Sequence, residues 1–109
     1  MAKFVKGEVV VIPFPFSDLC CSKRRPALVL ADLPGDDLLL CQITSQSSKD
    51  IFAIPLLVND FLNGTLPVNS FIRPTRLFTA DRNIVIKKAG LIRAKTINDV
   101  TQTIIKIVQ

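Results

Sequence analysis

Lys23, Arg24 and Arg25 stand directly before Pro26 and the apolar run "ALVL", and a polar stretch, "ITSQSSK" from Ile43 to Lys49, closes a second apolar run. A guanidinium fixed beside a proline offers a fork of donors that matches a phosphate, and hydroxyls and amides can reach phosphate oxygens or base edges. Together such groups can hold an anion and stabilise charge that develops on it. The chain has no histidine, which excludes Ser-His, Cys-His and paired-histidine catalysis. It also has no Cys-x-x-Cys spacing, so the sequence predicts neither a metal site nor a cofactor. Adjacent Cys20 and Cys21 read as incidental loop thiols, and Cys41, inside "LLLCQI", as a small buried residue rather than a nucleophile.

The elements that would position these groups are short. Apolar runs rich in Val, Ile and Leu, bounded by Pro, Gly, Asn and Asp, predict strands through most of the chain. "EVVVIPF" (Glu8 to Phe14) is the first, and the prolines of "PFPFSDLCCSKR" then predict a loop. "PALVLADL" and "DLLLCQIT" are joined by "PGDD", a tight-turn signal that makes them a hairpin. In such a hairpin the residues furthest from the turn are Arg25 and Thr44, which come together at one end of the sheet.

"DIFAIPLL" reads as a further strand and "NDFLNGTLPVNS" as a turn-rich excursion. "SFIRP", "TRLFTAD" and "IVIKKAGLI" complete the set of candidate strands. Arg73, Arg76 and Arg82 lie among Phe71 and Phe78, a mixture that suits either single-stranded nucleic acid or a core with a charged margin. Ile97, Val100, Ile104 and then Ile107 or Val108 recur at helical spacing, and Thr96 with Asp99 resembles a capping box. The expected fold is mainly β, a small, strongly curved antiparallel barrel with a C-terminal α-helix.

At 109 residues the chain is sized for one domain, residues 1–109, and 49% hydrophobic residues suffice for a core. The 14 Lys and Arg against 9 Asp and Glu give a net charge of +5, which leans toward a polyanionic partner without requiring one. The odd, unspaced cysteines fit a reducing cytoplasm. "MAKFVKGEVV" has no signal-peptide core, and no apolar run reaches the length of a membrane span. A cytoplasmic protein without membrane attachment is expected.

"GEVVVIPFPF", "KRRPALVL", "CQITSQ" and "FIRPTRLFTADRN", in that order over nearly the whole chain, resemble the MazF/PemK-like toxins of bacterial type II toxin-antitoxin systems. The resemblance implies an SH3-like barrel of the CcdB/PemK type, assembled as a homodimer. It also implies an endoribonuclease that cuts single-stranded RNA at short motifs without a metal, leaving a cyclic phosphate and a 5′-hydroxyl. The family's catalytic arginine falls on Arg25 and its catalytic threonine on Thr44. Phe16, Lys23, Arg24, Ser45, Gln46 and Arg73 would bind the RNA. Where some relatives carry a polar group in the first loop, this chain has Leu19, Cys20 and Cys21, which leaves Asp18 as the nearest carboxylate. A small antitoxin with an acidic tail would be the protein partner. Two alternatives remain: a non-catalytic CcdB-type inhibitor of DNA gyrase, and a degenerate toxin that only binds RNA.

Overall fold

The computed structural model describes residues 3–14, 23–46 and 49–109. Phe16, Asp18 and the Leu19–Cys20–Cys21 segment lie outside the described residues.

Among the described residues, seven strands form one antiparallel sheet. They are β1 (Glu8–Phe14), β2 (Lys23–Asp32), β3 (Asp37–Thr44), β4 (Ile54–Leu56), β5 (Phe61–Gly64), β6 (Ser70–Asp81) and β7 (Lys87–Ile92), followed by the helix α1 (Ala94–Val108). The order across the sheet is β4-β6-β3-β2-β1-β7-β5, so β2 and β3, which carry the two candidate motifs, lie near its centre. The expected hairpin is present. Pro34 and Gly35 occupy its turn, and Gly35 has a φ of 85°, the left-handed conformation that the position after proline takes in a type II turn.

The strand centres are buried on both faces. One face carries Val9, Leu28, Cys41, Ile43 and Ile72 against Val100 of the helix. The other carries Val10, Ile12, Ala27, Val29, Leu38 and Leu40 against Phe4. Successive residues of a strand point to opposite faces, so β1, β2 and β3 contribute alternately to the two cores. Each fully buried aliphatic side chain contributes about 1.5–3 kcal/mol, and these two sets hold the central strands in place.

Several expectations are corrected. "SFIRP" and "TRLFTAD" form one strand, β6, interrupted by a bulge: Gln42 pairs with Arg73 and Cys41 with Leu77, which leaves Pro74, Thr75 and Arg76 without partners on β3. The turn-rich excursion contains a short 3-10 turn (Val58–Asp60) and the edge strand β5. "DIFAIPLL" yields only the three residues of β4, because Asp50 accepts the Phe52 N–H (2.9 Å) and turns the chain there. "IVIKKAGLI" starts pairing only at Lys87, after a second 3-10 turn (Arg82–Ile84).

Thr96 does not cap the helix, whose N-cap is Arg93. Thr96 is buried one turn inside, and its hydroxyl donates to Asp60 Oδ1 (3.0 Å). Asp60 also accepts the Leu57 N–H through Oδ2 (2.8 Å), and its carbonyl accepts the Arg93 N–H (2.7 Å). The helix start is thus anchored to the turn before β5. Ile97 and Ile104 then pack on the core beside Val100, the apolar stripe that their spacing predicts. Among the described residues no helix is long and apolar enough to cross a membrane.

Candidate functional site

The β2–β3 pairing ends at Ala27 opposite Gln42, one residue past Pro26, which has no N–H to extend a ladder. Two residues further along each strand stand Arg25 and Thr44. Ala27 and Gln42 share a face, so the two-residue period puts Arg25 and Thr44 on that same face. Both are half-buried. On the far side of β2, Arg25 pairs with Ile12 of β1, a core residue that is 1% exposed, so the backbone beneath the guanidinium is fixed.

The Thr44 hydroxyl accepts the Gln46 N–H (3.2 Å). That bond occupies a lone pair and leaves the O–H to donate, the polarity needed for a phosphate oxygen. Gln46 therefore acts here through its backbone, and its exposed side chain extends beyond the strand end.

Arg73 sits on this face too, opposite Gln42, and the next residue pair of like parity is Thr44 with Phe71. Its Nε donates to Asp50 Oδ2 (3.2 Å), and Thr75 donates its hydroxyl to the same oxygen (2.7 Å). The Thr75 hydroxyl, the Phe52 N–H and Arg73 together hold the Asp50 carboxyl below its ordinary value, against the opposing effect of burial. Sequence reasoning did not single out Asp50. Its local signal is an Asp two residues before the backbone N–H that it accepts, and its bond to Arg73 spans 23 positions. Beneath Arg73, the Cys41 thiol donates to the Arg73 carbonyl (3.0 Å), and burial pushes this thiol up to about 12. Cys41 is the buried structural residue expected, with no thiolate to attack anything.

Lys23, exposed and paired with Phe14 at the mouth of β2, shares the parity of Arg25. Arg24 and Ser45 do not. Both have the opposite parity and open on the helix side of the sheet, where they line a cavity of about 480 Å³ together with Lys87 of β7. The candidate RNA contacts thus divide between two faces: Lys23, Arg25, Thr44 and Arg73 on one, Arg24 and Ser45 on the other. Phe16 lies outside the described residues. No group of three or more potential metal ligands occurs among the described residues.

Residues 5–108 match the family described as PemK-like, MazF-like toxin of type II toxin-antitoxin system. No match is found among curated protein sequences. An endoribonuclease in complex with its cognate antitoxin, from a mycobacterial species, superposes with a TM-score of 0.75 at 12% identity, over 99% of this chain and 95% of that one. A MazE-MazF structure from Deinococcus radiodurans gives 0.75 at 17% identity over 99% and 97% of the two chains. MazF alone from the same organism gives 0.72 at 20% identity over 99% and 98%. The barrel with its C-terminal helix is therefore the fold of these proteins.

Proposed function

Because the chain belongs to the PemK-like, MazF-like toxin family of type II toxin-antitoxin systems, we propose that it is an endoribonuclease that cuts single-stranded RNA at short motifs without a metal, and so arrests translation. The observation that carries this reading is the placement of Arg25 and Thr44 on one face at the open end of β2 and β3. There the Thr44 hydroxyl already accepts from Gln46 and is left to donate.

In the proposed reaction the 2′-oxygen bonds to the adjacent phosphorus and the bond to the 5′-oxygen breaks. The 2′-hydroxyl gives up its proton and the departing 5′-oxygen gains one, so the products are a 2′,3′-cyclic phosphate and a 5′-hydroxyl. Arg25 stabilises the negative charge on the non-bridging oxygens, and Thr44 donates to one of them. Loss of one such donor typically costs about 10²–10³ in rate. Arginine holds its protons too tightly to exchange them readily, so its part is electrostatic. Asp50 is an unsuitable base, because a carboxylate stabilised by Thr75, the Phe52 N–H and Arg73 is less basic than a free one. It serves by holding Arg73.

An acidic antitoxin tail is the protein partner that a net charge of +5 suits, since complementary charge speeds encounter and fixes register. A homodimer acting in the cytoplasm completes the proposal. The test is incubation of the purified protein with long single-stranded RNA in EDTA, followed by mapping of cut positions and end groups. Discrete cuts with cyclic-phosphate ends, lost in Arg25→Ala, are expected. RNA left intact by the wild type would sink the enzymatic reading, and arrest of DNA gyrase in its place would point to a CcdB-type inhibitor.

A further inference from the structure

β4 and β5 are the two end strands of the sheet, and Leu56 of one and Phe61 of the other both border a second cavity, of about 220 Å³. Its accessible wall is apolar. Leu57, Val58 and Val68 are 43%, 63% and 56% exposed, and no lining residue carries a charge.

This wall is held from behind. Asp60 accepts the Leu57 N–H through Oδ2 (2.8 Å) and the Thr96 hydroxyl through Oδ1 (3.0 Å), which ties the 3-10 turn at Val58–Asp60 to the helix. The buried Ser70 donates its hydroxyl to the Val68 carbonyl (3.0 Å). Apolar side chains grouped in water mark a contact surface for another molecule. A frame fixed before binding also loses little order on binding.

Size and lining select the occupant. Small-molecule sites span about 300–1,000 Å³ and add charged or polar groups that fix the ligand's orientation, whereas this cavity is smaller and uncharged. One apolar side chain of a peptide suits it. Residues 65–68 also form a wall of the 480 Å³ cavity, which Arg24 and Lys87 line without any carboxylate. Arg24 and Lys87 are exposed, so a peptide that continues across this shared wall meets two cations.

We propose that the cavity between β4 and β5 is the anchor pocket for an acidic peptide. One apolar side chain of the peptide seats against Leu57, Val58 and Val68, and the carboxylates beside it lie over Arg24 and Lys87. The inference rests on the reading of an acidic protein partner given above and adds a contact that charge alone does not provide. Charge complementarity brings the peptide to the surface. The buried side chain then decides which peptides stay, as anchor residues do in protein interfaces.

The test is fluorescence anisotropy with two labelled peptides of glutamate and glycine, identical except that one carries a single central leucine. Wild type is compared with Val58→Asn and Val68→Asn, which leave the charge unchanged, with Lys87→Ala, and with Val108→Asn, a control at an exposed position on the last turn of the helix. Wild type should prefer the leucine peptide about 10-fold, the effect of burying one apolar side chain. Val58→Asn and Val68→Asn should lose that preference and keep the affinity for the leucine-free peptide. Lys87→Ala should weaken both peptides about 2–5-fold, and Val108→Asn should match wild type.

Equal binding of the two peptides by wild type would overturn the anchor pocket and leave the acidic partner standing. Binding of neither would overturn both. A leucine preference that survives in Val58→Asn and Val68→Asn would move the anchor elsewhere and overturn the proposal. Unchanged binding by Lys87→Ala would assign the pocket to a partner without acidic flanks, with the same consequence. Loss of self-association in Val58→Asn and Val68→Asn, measured by sedimentation velocity, with no leucine preference in wild type, would assign the surface to a second copy of this chain and overturn it as well.

Discussion

Asp50 and Arg73 form a salt bridge of 3.2 Å, Nε to Oδ2, with side chains 7% and 23% exposed respectively. Asp50 leaves the β3–β4 connection to reach a strand that begins 20 residues later, and so fixes the direction of a guanidinium on the face that bears Arg25 and Thr44. Asp50→Asn should slow RNA cleavage several-fold without weakening RNA binding, because it removes a negative charge from a cationic surface while loosening Arg73. A merely structural role would lower cleavage and binding together. With Arg73→Ala already present, Asp50→Asn should add little.

Arg25→Ala is expected to reduce cleavage by at least about 10²-fold, and Thr44→Val by a comparable factor. Both residues are half-buried at a strand end, so far-ultraviolet circular dichroism should show the fold retained. Arg25→Lys should restore only part of the rate, since an ammonium lacks the planar fork. Full activity in Arg25→Ala would remove the basis of the mechanism.

The acid limb of stability should report Asp50 and Asp32. Asp32 is held below its ordinary value first by the hydrogen bond from Arg82, and Asp50 first by the hydrogen bond from Thr75. For each, the unfolded chain takes up its proton at a higher pH than the folded chain does. The stabilisation is therefore complete above the ordinary value of 3.8 and is lost as pH falls through the lowered folded values. Thermal unfolding between pH 5 and 2 should show a falling Tm, and Asp50→Asn should flatten the fall. An unchanged slope in that variant would mean that other carboxylates control the acid limb.

How much of this was legible in the sequence depended on which question was asked. The β2–β3 hairpin, its turn and the shared face of Arg25 and Thr44 could be read because Pro34 and Gly35 mark the turn and residues count outward from it. The assignment of Arg24 and Ser45 to the other face could not. "EVVVIPF", "ALVL" and "LLLCQI" are apolar without alternation, since both faces of these strands are buried, and a continuous run hides which parity faces which core. Thr96 misled for a different reason: a threonine three residues before an acid has a capping pattern, but tertiary contact with Asp60 had taken its hydroxyl.

Cys41 should be inert to thiol reagents in the native protein. It is fully buried, its thiol donates to the Arg73 carbonyl and its pKa is pushed up to about 12. In a Cys20→Ser, Cys21→Ser background, labelling at neutral pH should follow global unfolding in denaturant. Rapid labelling of the folded protein would show that β3 opens locally.

Gly64→Ala should destabilise the edge of the sheet. Gly64 has a φ of 71°, and a Cβ there would come within 2.6 Å of Gly90 Cα as well as striking the Ala89 carbonyl oxygen. These atoms are backbone of the paired strand β7 and cannot rotate away. The expected loss exceeds the ~1 kcal/mol of an ordinary glycine substitution, with amide exchange on β5 rising first. Wild-type stability in this variant would contradict the close approach of β5 and β7.

The bulge at Pro74, Thr75 and Arg76 divides β6 into two lengths that keep separate registers with β3. The inner length, through Phe78 and Ala80, packs into the core beside Leu38 and Leu40. The outer length carries Arg73 to the face that bears Arg25 and Thr44. The bulge lets the two lengths keep different registers, and Asp50 ties its Thr75 to Arg73 of the outer length. Ile72, beside Arg73 on the outer length, is fully buried and pairs with Ile54 of β4, so a residue added or lost at the bulge would displace Arg73 only together with part of the interior.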